Sequence, residues 1–178
     1  MATLYEMDFA ALFCDELDPS KANWLNLEEV KIPMLQEKTQ ETTGGGAAMS
    51  LRMGMGIFEP IELTFKLRGF NPDVMNKIMP PGRVRRAYTI TGNIRDLEGD
   101  RQFALKAVIR GRMTKVDPGS FTRDSGISTD YQIDEIVFYS LHLDGVEKYY
   151  VDQFVGPNGI RVDGVQVYQD VARHLGLA

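Results

Sequence analysis

The sequence predicts a mainly β protein, an antiparallel β-sandwich or barrel with one or two short helices and long loops. Three observations predict this class: strict alternation of apolar and polar residues in PIELTFKLRGF, four further segments rich in β-branched and aromatic residues, and turn signals between them. With 178 residues the chain fits one domain, residues 1–178, which can bury a core without a metal or a disulfide.

The N-terminal segment MATLYEMDFAALFCDELD does not have the basic start and continuous apolar core of a secretory signal. No apolar run in the chain reaches the roughly 20 residues that a membrane helix requires. The single cysteine, Cys14, excludes an internal disulfide and indicates a reducing compartment. We therefore expect a protein without signal peptide or membrane anchor.

Three consecutive glycines, Gly44 to Gly46, follow a polar stretch in EKTQETTGGGAAM. A phosphate-binding loop would need Lys and then Ser or Thr after the last glycine, but alanines follow here. A dinucleotide site would need a strand before the glycines and a helix after them. The pattern instead predicts a surface loop over residues 39–48. Three methionines follow it, Met49, Met53 and Met55, and they indicate either an adaptable interface or core filling.

The next segment, PIELTFKLRGF, is the clearest strand, because Ile61, Leu63, Phe65 and Leu67 alternate with polar residues. After it, Asn71 can cap a helix with Pro72 at its first position, and the sequence Pro-Pro-Gly at 80–82 should end that helix after about two turns.

Four more strands are predicted at 85–96, 101–116, 131–143 and 146–155. Turns at 97–100 and at Asp144-Gly145 connect two of the pairs as hairpins. The C-terminal segment VQVYQDVARHLGLA fits either a short helix or a strand with a frayed end.

The strand at 131–143 is apolar on both sides in its middle. Alternation puts Ile136 and Phe138 on one side and Val137, Tyr139 and Leu141 on the other. Since one face of a lone small sandwich should be polar, we expect a helix or a neighbouring subunit to cover the second apolar face.

Seventeen residues at 114–130, rich in Asp, Pro, Gly, Ser and Thr, show no periodicity. A segment of this kind inside a compact domain is usually a binding loop or a disordered one.

The residues assemble no catalytic set, and we expect neither an enzyme nor a cofactor or metal. Cys14 has no basic residue near it in sequence, and His142 and His174 are isolated. The acidic residues of RDLEGDR and TRDSGISTD fit turns better than calcium loops. The net charge of −5 disfavours a dedicated nucleic-acid binder. The arginines, Arg83, Arg85, Arg86, Arg110 and Arg112, fit a solvated face or ion pairs between subunits better than a nucleic-acid site.

Four segments carry an ordered set of motifs: KIPMLQEKTQETTGGGAAM (31–49), IELTFKLRGFNPDVM (61–75), AVIRGRMTKVDPGSFTRDSG (107–126) and SLHLDGVEKYYVD (140–152). The set resembles the major tail tube proteins of contractile-tailed phages and of phage-tail-like bacteriocins. In that family a polar stretch runs into a glycine-rich loop, a strand ends in Gly-Phe, a long loop follows Arg-Gly-Arg, and an Asp-Gly hairpin closes the pattern. The likeness covers about residues 25 to 165, and the order and spacing of the motifs make it specific.

The resemblance implies a structural protein of the virion that assembles in the host cytoplasm. Such subunits form hexameric rings, each adding strands to a continuous β-barrel around the lumen, and the rings stack head to tail into an inner tube. The implied partners are further copies of the chain, the tail sheath, tape-measure, baseplate and tail-terminator proteins, and DNA that passes through transiently. A tail-like bacteriocin would use the same tube to breach an envelope without DNA.

On this resemblance we expect contacts between subunits and between rings in the loops at 39–48 and 114–130. The expected contact residues are Thr39, Thr42, Gly44, Gly45, Gly46, Asp117, Ser120, Phe121, Arg123, Asp124 and Ser125. Polar residues of the long strands should line the lumen, although alternation does not tell which face is inside. The candidates are Glu62, Lys66, Arg68, Asp134 and Glu135.

Two alternatives stay open. One is a related ring-former of type VI secretion, which carries effectors out of the cell, and the other is a monomeric β-barrel that binds a small apolar ligand. Three features of the residues fit the tube: strands that are apolar on both sides, sheet edges that ring closure would pair, and an acidic chain suited to releasing DNA.

Overall fold

The computed structural model describes residues 4–46, 48–99 and 101–177. Its strands are antiparallel and its helices few and short, so the predicted class is confirmed. The strands are β1 (Tyr5–Cys14), β2 (Leu27–Lys31), β3 (Glu37–Thr42), β4 (Leu51–Phe58), β5 (Leu63–Arg68), β6 (Arg86–Asp96), β7 (Gln102–Pro118), β8 (Ser128–Leu143), β9 (Val146–Asp152), β10 (Ile160–Val162) and β11 (Val165–Gln166). The helices are α1 (Pro72–Met75) and α2 (Gln169–His174), with 3-10 helices at Pro19–Lys21, Pro81–Arg83 and Gln153–Gly159.

The central strand of the large sheet is β8. It pairs with β7 on one side, while on the other side its first half pairs with β5 and its second half with β9. The sheet continues through β6 to β1, through β10 to β11, and through β5 to β2. An isolated bridge between Leu12 and Asn23 brings β1 beside the segment that precedes β2. The sheet therefore curls around its core, and β3 pairs only with β4.

The core lies inside this curled sheet. Leu63, Phe65 and Leu67 are buried there, as their alternation predicts, and the ring of Phe65 stacks on Tyr131 at 4.9 Å between centroids. The other buried apolar residues come from β1, α1 and β6 to β8: Leu12, Val74, Tyr88, Ile90, Leu105, Ala107, Ile109, Met113, Ile133, Tyr139 and Leu141.

A bulge in β8 changes which residues face the core. The register with β7 shifts between Asp134 and Phe138, and Glu135 has a φ of 49°. Ile136, next to the bulge, packs against the core. On β7, a Cβ at Gly111 would lie only 2.8 Å from Ile133 Cγ2, and glycine allows the two strands to meet at this point.

The helix predicted after Asn71 is confirmed, but it is one turn long instead of two. Asn71 caps it as expected, its side-chain oxygen accepting from Val74 N at 3.4 Å. The amides of Lys77 and Ile78 then bond to carbonyls three residues back, a tighter turn that ends the α-helix. At the C-terminus both alternatives occur, because strand β11 precedes helix α2.

Both predicted loops are shorter than expected. Strand β7 continues to Pro118, since Asp117 still pairs with Asp130 of β8, and the connection is residues 119–127. Strand β3 includes Thr39 and Thr42, which pair with Gly54 and Leu51 of β4. Polar sequences were interpreted as loops in both places, but backbone pairing needs no apolar side chains. Of the predicted loop 39–48, Ala47 lies outside the described residues.

The predicted hairpin turns join β6 to β7 and β8 to β9, although Asp100 lies outside the described residues. In the first turn, Asp96 Oδ1 accepts from the amides of Glu98 at 3.1 Å and Gly99 at 3.2 Å. This confirms turn chemistry for Asp96. Burial alone would raise the pKa of Asp96, but these amides and the Arg101 guanidinium outweigh it and hold the pKa below its ordinary value.

Asp96→Asn is expected to lower the urea midpoint of unfolding at neutral pH, because the turn loses its charged acceptor. A depressed folded pKa stabilises the fold above the ordinary Asp pKa, and this contribution disappears as the pH falls through the folded value. The difference between the variant and the wild type should therefore shrink in acid. Glu98→Gln, an exposed change in the same turn, is the control and should show no such pH dependence.

Candidate functional site

The hairpin formed by β3, β4 and the turn between them spans residues 37–58, and we call it the hairpin arm. Its described residues, 37–46 and 48–58, have no core of their own. Every residue of β3 is exposed, and so are most residues of β4. An isolated two-stranded hairpin is at best marginally stable in water. The arm is therefore the part of the subunit that would gain most from contact with another molecule.

Four large apolar side chains line β4: Leu51, Met53, Met55 and Ile57, which we call the apolar stripe. Each is exposed, Met53 to 51% and Met55 to 47%. The core-filling interpretation of the methionines is therefore wrong for the single subunit, and the adaptable interface stays a prediction. Contiguous exposed apolar surface of this kind marks an interaction site in soluble proteins.

A cavity of about 710 Å³ lies between the base of the hairpin arm, β8 and the C-terminal segment. Its lining is mostly apolar and includes Ile57, Phe138, Ile160 and Val171. The C-terminal segment thus partly covers the second apolar side of β8. The interior of the curled sheet, where a ligand-binding barrel would keep its cavity, is filled by the core side chains.

The loop at 119–127 brings together five of the predicted contact residues: Ser120, Phe121, Arg123, Asp124 and Ser125. A bridge between Thr122 and Gly126 closes its tip, and the hydroxyls of Thr122 and Ser125 share a hydrogen bond. Phe121 is 72% exposed. Asp117 lies outside this loop, within β7.

The two predicted contact regions lie at opposite ends of β5. The loop 119–127 extends beyond the pairing of Arg68 with Ser128, whereas the hairpin arm leaves the body near Leu63 and Ile133. Thr39, Thr42 and the glycines Gly44 to Gly46 belong to the arm. The chain therefore presents two separate candidate surfaces.

The polar side of β2, β5, β7 and β8, opposite the core, carries balanced charges; we call it the outer polar face. Its basic residues are Lys31, Lys66, Arg68, Arg112 and Lys115, and its acidic residues are Glu28, Glu29, Asp117, Asp130 and Asp134. Ion pairs join several of them within or across strands, such as Lys66 with Asp130 at 3.9 Å. Exposed pairs like these contribute little stability, but they neutralise the face.

The structure gives the five predicted lumen residues different positions. Lys66, Arg68 and Asp134 lie on the outer polar face. Glu62 precedes β5 and pairs with Lys31 at 3.8 Å. Glu135 lies in the β8 bulge and pairs with Arg112 at 3.2 Å.

The sequence interpretation missed an exposed apolar patch beside β1 and β2. Beyond the bridge at Leu12 the two strands separate, leaving an unpaired edge on each. Phe9, Trp24 and Leu25 are exposed at this opening, Leu25 to 82%. Strand β1 could have been predicted from the sequence, because apolar residues alternate with acidic ones at its start: Tyr5, Met7 and Phe9 with Glu6 and Asp8. No strand was predicted there.

The arginines mostly form ion pairs within the subunit. Arg85 and Arg112 pair with Glu135, and Arg86 pairs with Asp15. Neither a solvated face nor pairs between subunits are needed to explain these three.

Cys14 packs against the core, and its burial raises the pKa of the thiol to about 12, partly offset by Lys77. Such a thiol is unreactive near neutral pH. Within residues 4–46, 48–99 and 101–177, no group of three or more His, Cys, Asp or Glu side chains could hold a metal ion.

A family model described as phage tail tube protein FII matches residues 18–176. A search of curated proteins finds no match. Among the helices of the described residues, none is long and apolar enough to cross a membrane.

Proposed function

We propose, because the chain belongs to the phage tail tube protein FII family, that it forms the inner tube of a contractile tail as stacked hexameric rings. The tail sheath surrounds this tube, the tape-measure protein sets its length, and baseplate and tail-terminator proteins bind its ends. DNA passes through it in a phage, and the same tube would breach an envelope in a tail-like bacteriocin. Subunits assemble in the host cytoplasm and end in the virion.

The observation that carries this proposal is the exposed hairpin arm. Its apolar stripe faces water in the single subunit. Full burial of one such side chain contributes about 1.5–3 kcal/mol, so covering the stripe in an assembly would supply a large part of the association energy. Contact with a neighbour in the tube would then add to the stability of the arm.

The subunit carries two different surfaces that could bind each other in neighbouring copies of a ring. The chain has an apolar patch and open strand edges at β1 and β2, and a separate apolar stripe on the hairpin arm. An interface between two different surfaces of one chain is heterologous, and repeating it gives a closed ring or an open filament. Pairing the open edges between neighbours also removes the aggregation hazard of an exposed edge.

Contacts between rings are assigned to the loop 119–127 and to the tip of the hairpin arm. Both regions project from the sheet, and Phe121 offers an exposed aromatic anchor at the loop. The glycines at 44–46 allow a neighbouring backbone to approach closely.

The outer polar face is assigned to the lumen. Its basic and acidic residues balance, so it has no strong net attraction for the phosphates of passing DNA. A face of this kind would let DNA move without being held. A tube whose lumen is strongly basic would contradict the assignment.

Negative-stain electron microscopy of the purified protein tests the proposed function directly. Stacked tubes with six-fold symmetry are the expected result. Loose rings would favour the type VI alternative, and particles of single-subunit size at high concentration would overturn the tube.

Replacing residues 120–127 with Asn-Gly should give a folded subunit that does not stack. Gly119 N bonds to Ser128 O at 3.0 Å, and a two-residue turn fits beyond that pair. The variant loses the hydrogen bond from Gly69 N to Ile127 O but should still unfold cooperatively, since none of residues 120–127 belongs to the core. Asp144→Asn, which introduces the same dipeptide in the β8–β9 turn, is the matched control. Normal tubes from the loop variant would refute the assignment of ring contacts to this loop.

A further inference from the structure

The base of the hairpin arm is held to the body mainly by its two connecting segments. Ile32 and Leu35 precede β3, Ile61 follows β4, and all three pack against the core. Inside the arm, Gly56 N donates to a carboxylate oxygen of Glu37 at 2.7 Å, which stabilises the bulge between the two strands. These contacts fix where the arm begins, together with the hydrogen bond from Glu59 N to Gln36 O at 2.8 Å.

A second contact reaches the arm from the opposite end of the sequence. Gly56 has a φ of 71°, a conformation that side chains disfavour, and a Cβ there would lie 3.3 Å from Tyr168 Oη. Two ring carbons of Tyr168 would lie at 3.7 and 3.8 Å from the same point. The tyrosine ring therefore lies close to the backbone of the arm, at a position where an added Cβ would make a tight contact with its hydroxyl.

Tyr168 is itself held on both sides. The residue before it, Val167, donates its amide to Ile160 O at 3.1 Å, and the Tyr168 carbonyl accepts from Ala172 N at 2.9 Å in α2. The ring lies at the edge of the cavity, beside Ile160 and Val171. The C-terminal segment thus presents Tyr168 to the arm as a fixed support.

We propose that Tyr168 is a positioning residue, which sets the direction in which the hairpin arm leaves the body. From the contact at Gly56 to Leu51, where β4 begins, the strand extends over five residues, about 17 Å. A rotation of about 10° at Gly56 therefore moves that end of the arm by about 3 Å. Packing contacts lose a quarter to a half of their attraction across a gap of only 0.5–1 Å, so a displaced arm would not fit a neighbour.

The inference rests on the proposed function, in which the arm contacts a neighbouring subunit. Assembly through the arm does not by itself require the C-terminal segment, whereas the positioning role of Tyr168 does. The C-terminal segment, although distant in sequence, controls whether the arm is ready to bind before any neighbour arrives.

The direction of the arm can be measured in the free subunit. Nitroxide spin labels at Thr42→Cys on the arm and Lys106→Cys on β7, in a Cys14→Ala background, report the distance between arm and body. With Tyr168→Ala the mean distance should shift or its distribution broaden by about 3 Å, because Thr42 pairs with Leu51, about 17 Å from Gly56. Tyr168→Phe keeps the ring carbons and should leave the distribution as in the wild type. An unchanged distribution for Tyr168→Ala would overturn the inference.

A pair of substitutions at the contact gives a second test. Gly56→Ala places a methyl group against Tyr168 Oη and should shift the distance, whereas combining it with Tyr168→Phe removes the closest atom and should restore part of the shift. Equal shifts with and without the hydroxyl would contradict a direct contact.

Assembly of the unlabelled variants separates the two proposals. Tyr168→Ala should raise the critical concentration for tube formation at least tenfold, and Tyr168→Phe should not. If the arm moves in Tyr168→Ala but the wild type forms no tubes, the proposed function fails and the positioning role stands. If the wild type forms tubes and Tyr168→Ala leaves the arm unmoved, only the positioning role fails.

Discussion

Replacing Met53 and Met55 together with serine is expected to leave a folded subunit that forms tubes only at much higher concentration. Full burial of an exposed methionine contributes about 1.5–3 kcal/mol, and Met53 and Met55 are 51% and 47% exposed, so about half of that remains for each in an interface. Loss of both therefore removes about 1.5–3 kcal/mol. Since about 1.4 kcal/mol corresponds to a factor of ten, the critical concentration should rise roughly ten- to a hundredfold. Sedimentation of polymer at a series of protein concentrations measures this value.

The matched control for this variant is Arg52→Ser. Arg52 is exposed on the same strand but faces the other side of the hairpin arm, opposite Glu41. It should leave the critical concentration nearly unchanged. Leucine at both methionine positions keeps the apolar volume and should preserve assembly. Tubes from the double serine variant at the wild-type concentration would show that the apolar stripe is no interface.

The strands predicted correctly are those whose side chains differ between two faces. In β5 the buried Leu63, Phe65 and Leu67 alternate with polar residues, so the sequence pattern and the burial coincide. Strands β6 to β9 share a composition of β-branched and aromatic residues and tight turns between them. Both signals are local, which is why one sequence suffices to find them.

The hairpin arm could not be predicted in the same way. Strand β3 has six residues without one apolar side chain, and glycines interrupt β4. Backbone hydrogen bonds pair its two strands, and such bonds require no alternation of apolar and polar residues that could be recognised in the sequence. The exposed methionines were visible in the sequence, but exposure itself is a property of the folded chain.

The contact between Gly56 and Tyr168 illustrates a further limit. It joins the hairpin arm to the C-terminal segment, and neither residue type signals the other in the sequence. The β8 bulge is similar: the φ of Glu135 and the close approach at Gly111 depend on three strands meeting at one point. Tertiary packing decides such positions, and local propensity does not.

Ile133→Ala is expected to have the largest effect on the stability of the subunit. Ile133 is fully buried and pairs with Leu63 of β5 on one side and Met113 of β7 on the other. Removal of such a side chain from a packed core lowers the free energy of unfolding by about 2–5 kcal/mol. In a domain of this size, that corresponds to a melting temperature lower by roughly 5 to 15 °C, measurable by calorimetry.

Ile57→Ala makes the same chemical change on the apolar stripe. It should affect assembly strongly and the stability of the subunit only weakly, the reverse of Ile133→Ala. Ile57 is 52% exposed in the single subunit, so its removal should lower the free energy of unfolding by no more than about 1 kcal/mol, well below the effect of Ile133→Ala. It should nevertheless raise the critical concentration for assembly, because the lost surface is buried only in the tube. If both isoleucine variants lowered the melting temperature equally, the arm would belong to the folding core of the subunit. The claim that the apolar stripe contributes to assembly and not to the stability of the single subunit would then be wrong.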